Sequence, residues 1–286
     1  MIRILISLFL LACAGRVMAQ AVGCTQATVT GTYAVASQFM RPGPESTSLW
    51  VPGASLAIVS IAGDGAISGK SYSSMGGEIS ESETSGAIKV GGSCTATVDW
   101  GQRVIAASVI FDEGKELRSI LESTGPLGSA VVSATWKRIS SAPATVEPNQ
   151  CAPNAIIGTY DYRSSGFVMT AVPGTSQTQP IPVAILGLGT ANEDGTAFAT
   201  ATASIGGRMM PLSFNSAGNI AIKPDCTATM TWNLSSQGNP VGQSQHFAVV
   251  LDGGSEIWGI QIQNALGQPI LLDKWARISA LPIQAN

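Results

Sequence analysis

The chain is poor in charge. Asp, Glu, Lys and Arg make up 12% of its 286 residues and leave a formal net charge of −3, against roughly 25% charged in an average soluble domain. No basic stripe or arginine cluster is present, so the electrostatic footprint of a nucleic-acid-binding protein is missing. There is a single histidine, His246. Metal ligation through a histidine cluster is thereby excluded, and Ser-His-Asp or Cys-His chemistry is confined to the surroundings of one residue. The sequence has no CxxC pair, no phosphate-binding glycine loop and no nucleophile motif, so neither a metal nor an organic cofactor is expected. Beyond residue 19, no apolar run reaches the length of a membrane-spanning helix. With so few charges the surface must be built from Ser, Thr, Gly, Gln and Asn, a composition at home in exported β proteins. Recurring Val, Ile and Leu set it apart from a disordered chain.

What the sequence does have is a duplication. Cys24-Thr25-Gln26 leads to Gly31-Thr32-Tyr33, and Cys151-Ala152-Pro153 leads to Gly158-Thr159-Tyr160 at the same spacing. Cys94-Thr95-Ala96-Thr97 with Trp100 returns as Cys226-Thr227-Ala228-Thr229 with Trp232, and Trp136 with Arg138 returns as Trp275 with Arg277. A long internal repeat fixes domain number and boundaries together. Repeat 1 is expected over residues 24–140 and repeat 2 over 151–279, with a Pro-bearing linker at 141–150 that leaves the two halves some freedom.

Residues 1–19 read as an export signal: Arg3 as the basic region, Ile4 to Ala14 as the apolar core, and Val17-Met18-Ala19 as a small-residue cleavage site. Leu10-Leu11-Ala12-Cys13 also fits a bacterial lipobox, which would acylate Cys13 and anchor the protein at the outer membrane. The mature chain is therefore expected in the periplasm or outside the cell, either free or lipid-anchored. Either route removes or modifies Cys13 and leaves four cysteines. Four cysteines allow three connectivities. One early and one middle cysteine per repeat selects Cys24 with Cys94 and Cys151 with Cys226. Closing loops of that length stabilises by about 4 kcal/mol in the chain-entropy model.

Within each repeat, apolar residues alternate with polar ones and are interrupted by turn clusters every eight to fifteen residues. About eight strands per copy follow, and no stretch shows capped helical periodicity. Consecutive strands joined by local hairpins close most simply as up-and-down antiparallel barrels. The expected fold is all-β: two tandem eight-stranded barrels with one disulfide each. Sixteen strands would also suit a single porin, but two internal disulfides and a linker between closed copies oppose that.

Gly31-Thr32-Tyr33 with Arg138, and Gly158-Thr159-Tyr160 with Arg277, resemble the two ends of a calycin barrel, the lipocalin and avidin type. There, an aromatic residue opening the first strand is covered by an arginine from the last. Tyr stands here in place of the family's Trp. The resemblance implies a barrel that takes a small apolar molecule or presents its loops to a partner. Allene oxide cyclase and dirigent barrels are similar in outline and imply a shaped reaction cavity instead.

The candidates for chemistry are few. His246 lies at a strand position opposite Ala106 of the other copy. Asp112 with Glu116, and Asp252 with Glu256, recur at one spacing, but they flank glycine-containing turns where Asp serves its own backbone. Glu78, Glu81 and Glu83 form an acidic patch confined to repeat 1. Asn233-Leu234-Ser235 is a sequon, of consequence only in a glycosylating host. The long segments after the first strand of each copy, Arg41 to Gly53 and Val172 to Pro182, are expected to be loops at the barrel mouths. Arg41, Trp50, Tyr33 and Tyr160 are the expected ligand contacts. The functional expectation is an exported, non-enzymatic barrel protein binding a small apolar ligand or a cell-surface partner, the alternative being a cyclase-like or carbohydrate-active barrel enzyme.

Overall fold

A computed structural model describes residues 23–42, 50–101, 104–124, 130–141, 151–152, 154–175, 177–218 and 220–281. The expected signal segment with Cys13, most of the linker and part of the first long loop lie outside them.

Repeat 1 opens with the four-residue helix α1 (Gln26–Val29), which the strand periodicity gave no hint of. Eight strands follow: β1 (Gly31–Pro42), β2 (Trp50–Ile61), β3 (Ala66–Met75), β4 (Glu78–Val90), β5 (Thr95–Asp99), β6 (Val104–Phe111), β7 (Glu116–Thr124) and β8 (Val131–Ser140). Each pairs antiparallel with the next, and β1 pairs with β8, closing the barrel. Repeat 2 comprises β9 (Gly158–Ala171), β10 (Thr178–Ala191), β11 (Ala197–Ile205), β12 (Arg208–Ser216), the two-residue β13 (Ala221–Ile222), β14 (Thr227–Ser236), β15 (Asn239–Leu251), β16 (Glu256–Asn264) and β17 (Gln268–Ser279). Pairing of β12 with β14 and of β17 with β9 closes this barrel too. The result is two eight-strand barrels, not one sixteen-strand barrel, with disulfides Cys24–Cys94 and Cys151–Cys226, one in each.

Alternation is clearest in β12, where Leu212 and Phe214 face the core while Ser213 and Asn215 face solvent. In β15 it vanishes: Phe247 through Leu251 are all buried. Ala248 and Val250 point into their own barrel, whereas Phe247, Val249 and Leu251 pack against Ala34, Ala54 and Leu56 of the other. A strand buried on both faces reads as a continuous apolar run. Tyr72 stacks on Phe247 with ring centroids 3.9 Å apart, and Ser74 donates to the Pro269 carbonyl at 2.5 Å. The two repeats are thus packed on one another, with less freedom than the linker suggested.

Both expected loops are partly strand: Arg41 and Pro42 end β1, Trp50 to Gly53 open β2, and Thr178 to Pro182 open β10. Pro180 and Pro182 lie in β10, paired only with β9 at that height, because β11 joins the ladder from Val183 onward. With no neighbour on the other side, the missing prolyl N–H costs no ladder bond.

One end of each barrel is sealed alike. Tyr33 is fully buried; its hydroxyl donates to the Gly114 carbonyl at 2.7 Å and accepts from Arg138 Nε and Nη2 at 3.0 and 2.8 Å. Arg138 also donates to the Thr28 carbonyl at the end of α1. In repeat 2, Tyr160 reaches the Gly254 carbonyl at 2.8 Å and Arg277 at 3.0 Å, and Arg277 donates to the Ala155 carbonyl. Burial raises both phenol pKa values, outweighing the nearby guanidinium in each case. Gly254 makes this closure possible. It sits at φ +90°, and a Cβ there would strike the Ala155 carbonyl. Gly254→Ala is expected to lower unfolding stability by about 2–4 kcal/mol through strain and displacement of the seal, measurable as a shift in the denaturant midpoint.

The paired carboxylates of repeat 2 act at the junction between barrels. Lys137 of β8 meets Glu256 and also Asp252, the latter at 2.7 Å, while Lys274 meets Glu256 at 2.5 Å and Trp258 Nε1 donates to it at 2.7 Å. Burial pushes the Glu256 carboxyl up, but Lys137, Lys274 and Trp258 together hold it below its ordinary value. A depressed folded-state pKa stabilises above the unfolded value, near 4.3, and that stabilisation is lost as pH falls through the folded one. Wild type should therefore exceed Glu256→Gln in stability at pH 7, and the gap should close progressively below about pH 4.3. Denaturant midpoints across that range check it.

Candidate functional site: the interiors of the two barrels

The copies share their pairing registers, so inward positions match one to one. Val35 corresponds to Tyr162, Arg41 to Val168 and Ser55 to Ile185. Thr84 corresponds to Phe214. Val104, Ala106, Leu121 and Ala134 correspond to Ser244, His246, Gln261 and Asp273.

In repeat 2 these positions are large or polar, and the interior is filled. Tyr162 stacks on Trp275 at 4.1 Å, Trp275 on Trp232 at 5.6 Å, and Phe214 meets both Tyr162 and Trp232 edge-on. Beside this column lies a buried polar network. His246 Nδ1 pairs with Asp273 Oδ2, and His246 Nε2 lies 3.0 Å from Ser244 Oγ. Tyr162 donates to Asp273 Oδ1 at 3.3 Å, and Asn264 donates to Gln261 at 2.6 Å. Burial first, with Asp273 beside it, pushes the Tyr162 phenol well above 10.

Nucleophile, base and orienting acid stand here in the order of a Ser-His-Asp site. Ser244 and His246, however, are each 1% exposed, with Leu271 of β17 and Val168 of β9 buried in the same interior. No substrate carbonyl can reach the hydroxyl in this packing, and acyl transfer requires a reacting atom about 3 Å from the nucleophile. The arrangement is a satisfied internal network that holds four strands in register.

In repeat 1 the same positions, Arg41 apart, are small or apolar, and the interior holds a cavity of about 310 Å³. Val35, Val104, Ala106, Leu121 and Ala134 all line it; these are the positions that carry the polar network in repeat 2. Trp136, stacked with Trp100 at 5.6 Å, lines it at depth, and Phe39, Met75 and Val132 line it toward the other end. Phe39 lies over Gly53 on the facing strand, so its ring forms wall where a side chain on β2 would otherwise stand. Ser37, Ser55, Ser71, Thr84 and Ser119 supply hydroxyls, of which Ser37 and Ser55 bond each other at 2.5 Å. No Asp, Glu or His is among the lining residues.

Of the expected contacts, Arg41 lines this cavity. Trp50 pairs with Pro42 at the mouth end of β2 and is 42% exposed. Tyr33 and Tyr160 sit in the sealed ends described above. The cavity residues Phe39, Met75, Ser55 and Thr84 were not anticipated. For three of them the signal was available, since Phe39, Ser55 and Thr84 sit at inward positions where repeat 2 has Gly166, Ile185 and Phe214.

No protein-family profile and no curated protein sequence matches the chain. Among solved structures it is similar to a protein provisionally called AttH from Nitrosomonas europaea, with 10% identity, 86% of this chain and 92% of that one covered, and a TM-score of 0.27. It is also similar to a protein of unknown function from Nostoc punctiforme, with 11% identity, 89% and 99% covered, and a TM-score of 0.22. A third is transferrin binding protein B from serogroup B Neisseria meningitidis, with 8% identity, 87% and 76% covered, and a TM-score of 0.24.

Proposed function

We propose that this is an exported binding protein in which repeat 1, residues 24–140, holds a small, mainly apolar molecule inside its barrel. Repeat 2, residues 151–279, is the packed scaffold on which that barrel rests. The single observation that carries the reading is the cavity of about 310 Å³, at the lower end of ordinary ligand sites, set in the space that repeat 2 fills with Tyr162, His246, Gln261 and Asp273. A duplicated fold evidently can fill this space, since one copy does; the other keeps it open and lines it with apolar side chains. Export fits the two disulfides, which persist in oxidising compartments. Residues 1–19 are assigned to the signal, with Cys13 as the acylation site if the anchored route is taken. Arg41 and Trp50 are assigned to the mouth, and Tyr33 and Tyr160 to the barrel ends.

The enzyme alternative would draw on Ser244, His246 and Asp273, whose burial leaves no approach for a substrate. Docking of a surface partner has no comparable feature in its support.

A native mass spectrum of the mature protein purified gently from its own host tests the proposal. A bound small molecule released on denaturation is expected. A clean mass from the host protein, together with no uptake of added apolar compounds, would overturn it. The same spectrum separates cleavage after Ala19 from acylation at Cys13.

A further inference from the structure

The cavity lining contains one charged side chain, and its Nε has no hydrogen-bond partner among the described residues. Arg41 is the last inward residue of β1, its guanidinium lines the cavity, and its Nε is buried without a hydrogen-bond acceptor among the described residues. No ion pair involves it there. An arginine cannot relieve such burial by losing its proton, as a lysine or carboxyl can. A buried guanidinium N–H without an acceptor is costly, and the ordinary remedy is an oxyanion that accepts two of the group's hydrogens. The cavity wall provides none: its other polar side-chain groups are hydroxyls and indole N–H groups.

Comparison of the copies separates this feature from the framework. The indole N–H of Trp136 is also buried without a partner, but so is that of its counterpart Trp275 in the filled barrel, so it belongs to the shared scaffold. Arg41 is different. Its counterpart is Val168, buried and apolar. The guanidinium therefore occurs only in the copy that has the cavity.

We infer that the ligand is an amphiphile with a single oxyanion head, of which a carboxylate is the simplest case. Its head pairs with Arg41 at the mouth, and its apolar tail lies between Phe39, Met75 and Val35 toward Trp136. Arg41 and Val35 are six residues apart on one strand, about 20 Å at the usual rise, so head and tail sites lie on one continuous path. The volume is roughly twice that of an apolar cavity that admits benzene, which suits a tail of about ten carbons. This inference rests on the ligand-binding reading above and specifies its chemistry.

The test is calorimetric titration of the mature protein, stripped of any bound lipid, with decanoate and with 1-decanol, which differ only in the head. Decanoate should bind tighter than decanol by roughly 10- to 100-fold, the range for a charge-assisted pair. Arg41→Gln should remove that preference, so that decanoate and decanol bind the variant alike; Arg41→Lys should restore part of it. Equal binding of the two compounds to wild type, or a preference that survives Arg41→Gln, would overturn the oxyanion assignment while leaving the apolar cavity standing. Failure of both compounds to bind a folded protein would overturn the cavity reading as well.

Discussion

Ser55→Ile with Thr84→Phe should close the cavity of repeat 1 and lower decanoate affinity by roughly 100-fold, while leaving unfolding stability unchanged or raised. The residues are those that repeat 2 carries at the same positions, Ile185 and Phe214, both buried in its core. The choice of positions matters. Thr84 faces Gly69 across the ladder, where repeat 2 has only Ala199, so a phenyl ring meets no bulk on its neighbour. Filling an existing void adds contacts without forcing rotamers, which is the common route to a modest gain in stability. Val35→Tyr would be a poorer choice, although Tyr162 is its counterpart. Tyr162 donates to Asp273, and repeat 1 has Ala134 there, so the new phenol would be buried without an acceptor. Titration and denaturant unfolding of the same variant separate blocked binding from misfolding. Reduced affinity accompanied by a large loss of stability would mean that the site had been disrupted instead of filled.

Asp273→Ala should cost repeat 2 about 3–5 kcal/mol, the usual penalty for breaking a buried charge-assisted pair. The carboxylate answers His246 Nδ1, Tyr162 and, at 3.4 Å, Gln261. Its removal leaves three buried donors unpaired. His246→Ala should also be destabilising, and the double variant should cost less than the sum, because the second substitution removes a group that the first has already orphaned. Additive losses, or a loss below about 1 kcal/mol for Asp273→Ala, would show that the network does not bind the strands together.

The sequence disclosed the framework because the framework repeats. Cys24, Cys94, Cys151 and Cys226 pair as the duplication requires, and Tyr33 with Arg138 and Tyr160 with Arg277 meet at the barrel ends as their positions in the first and last strands suggest. The interiors were harder to read. Ser244, His246, Gln261 and Asp273 come together only through the registers of β15, β16 and β17, and nothing in their local spacing announces a network. The one available sign was comparative: Val104, Ala106, Leu121 and Ala134 differ from them in polarity as a set, always at inward positions. Glu256 looked like turn chemistry because its partner Lys137 lies in the other repeat. The two prolines of β10 looked like loop residues because an edge that tolerates them is invisible without the sheet. Arg41 was singled out, but as part of a loop; its place as an inward residue of β1 is what gives it a role.

The central claim is that one barrel is hollow and apolar while its duplicate is full. A crystal structure of the mature protein under xenon pressure tests it most directly, because xenon enters dry apolar cavities and finds no room in packed cores. Xenon is expected in repeat 1, between Trp136, Val35 and Phe39, with none inside repeat 2. Xenon within repeat 2, or a repeat 1 interior that admits none, would contradict the account.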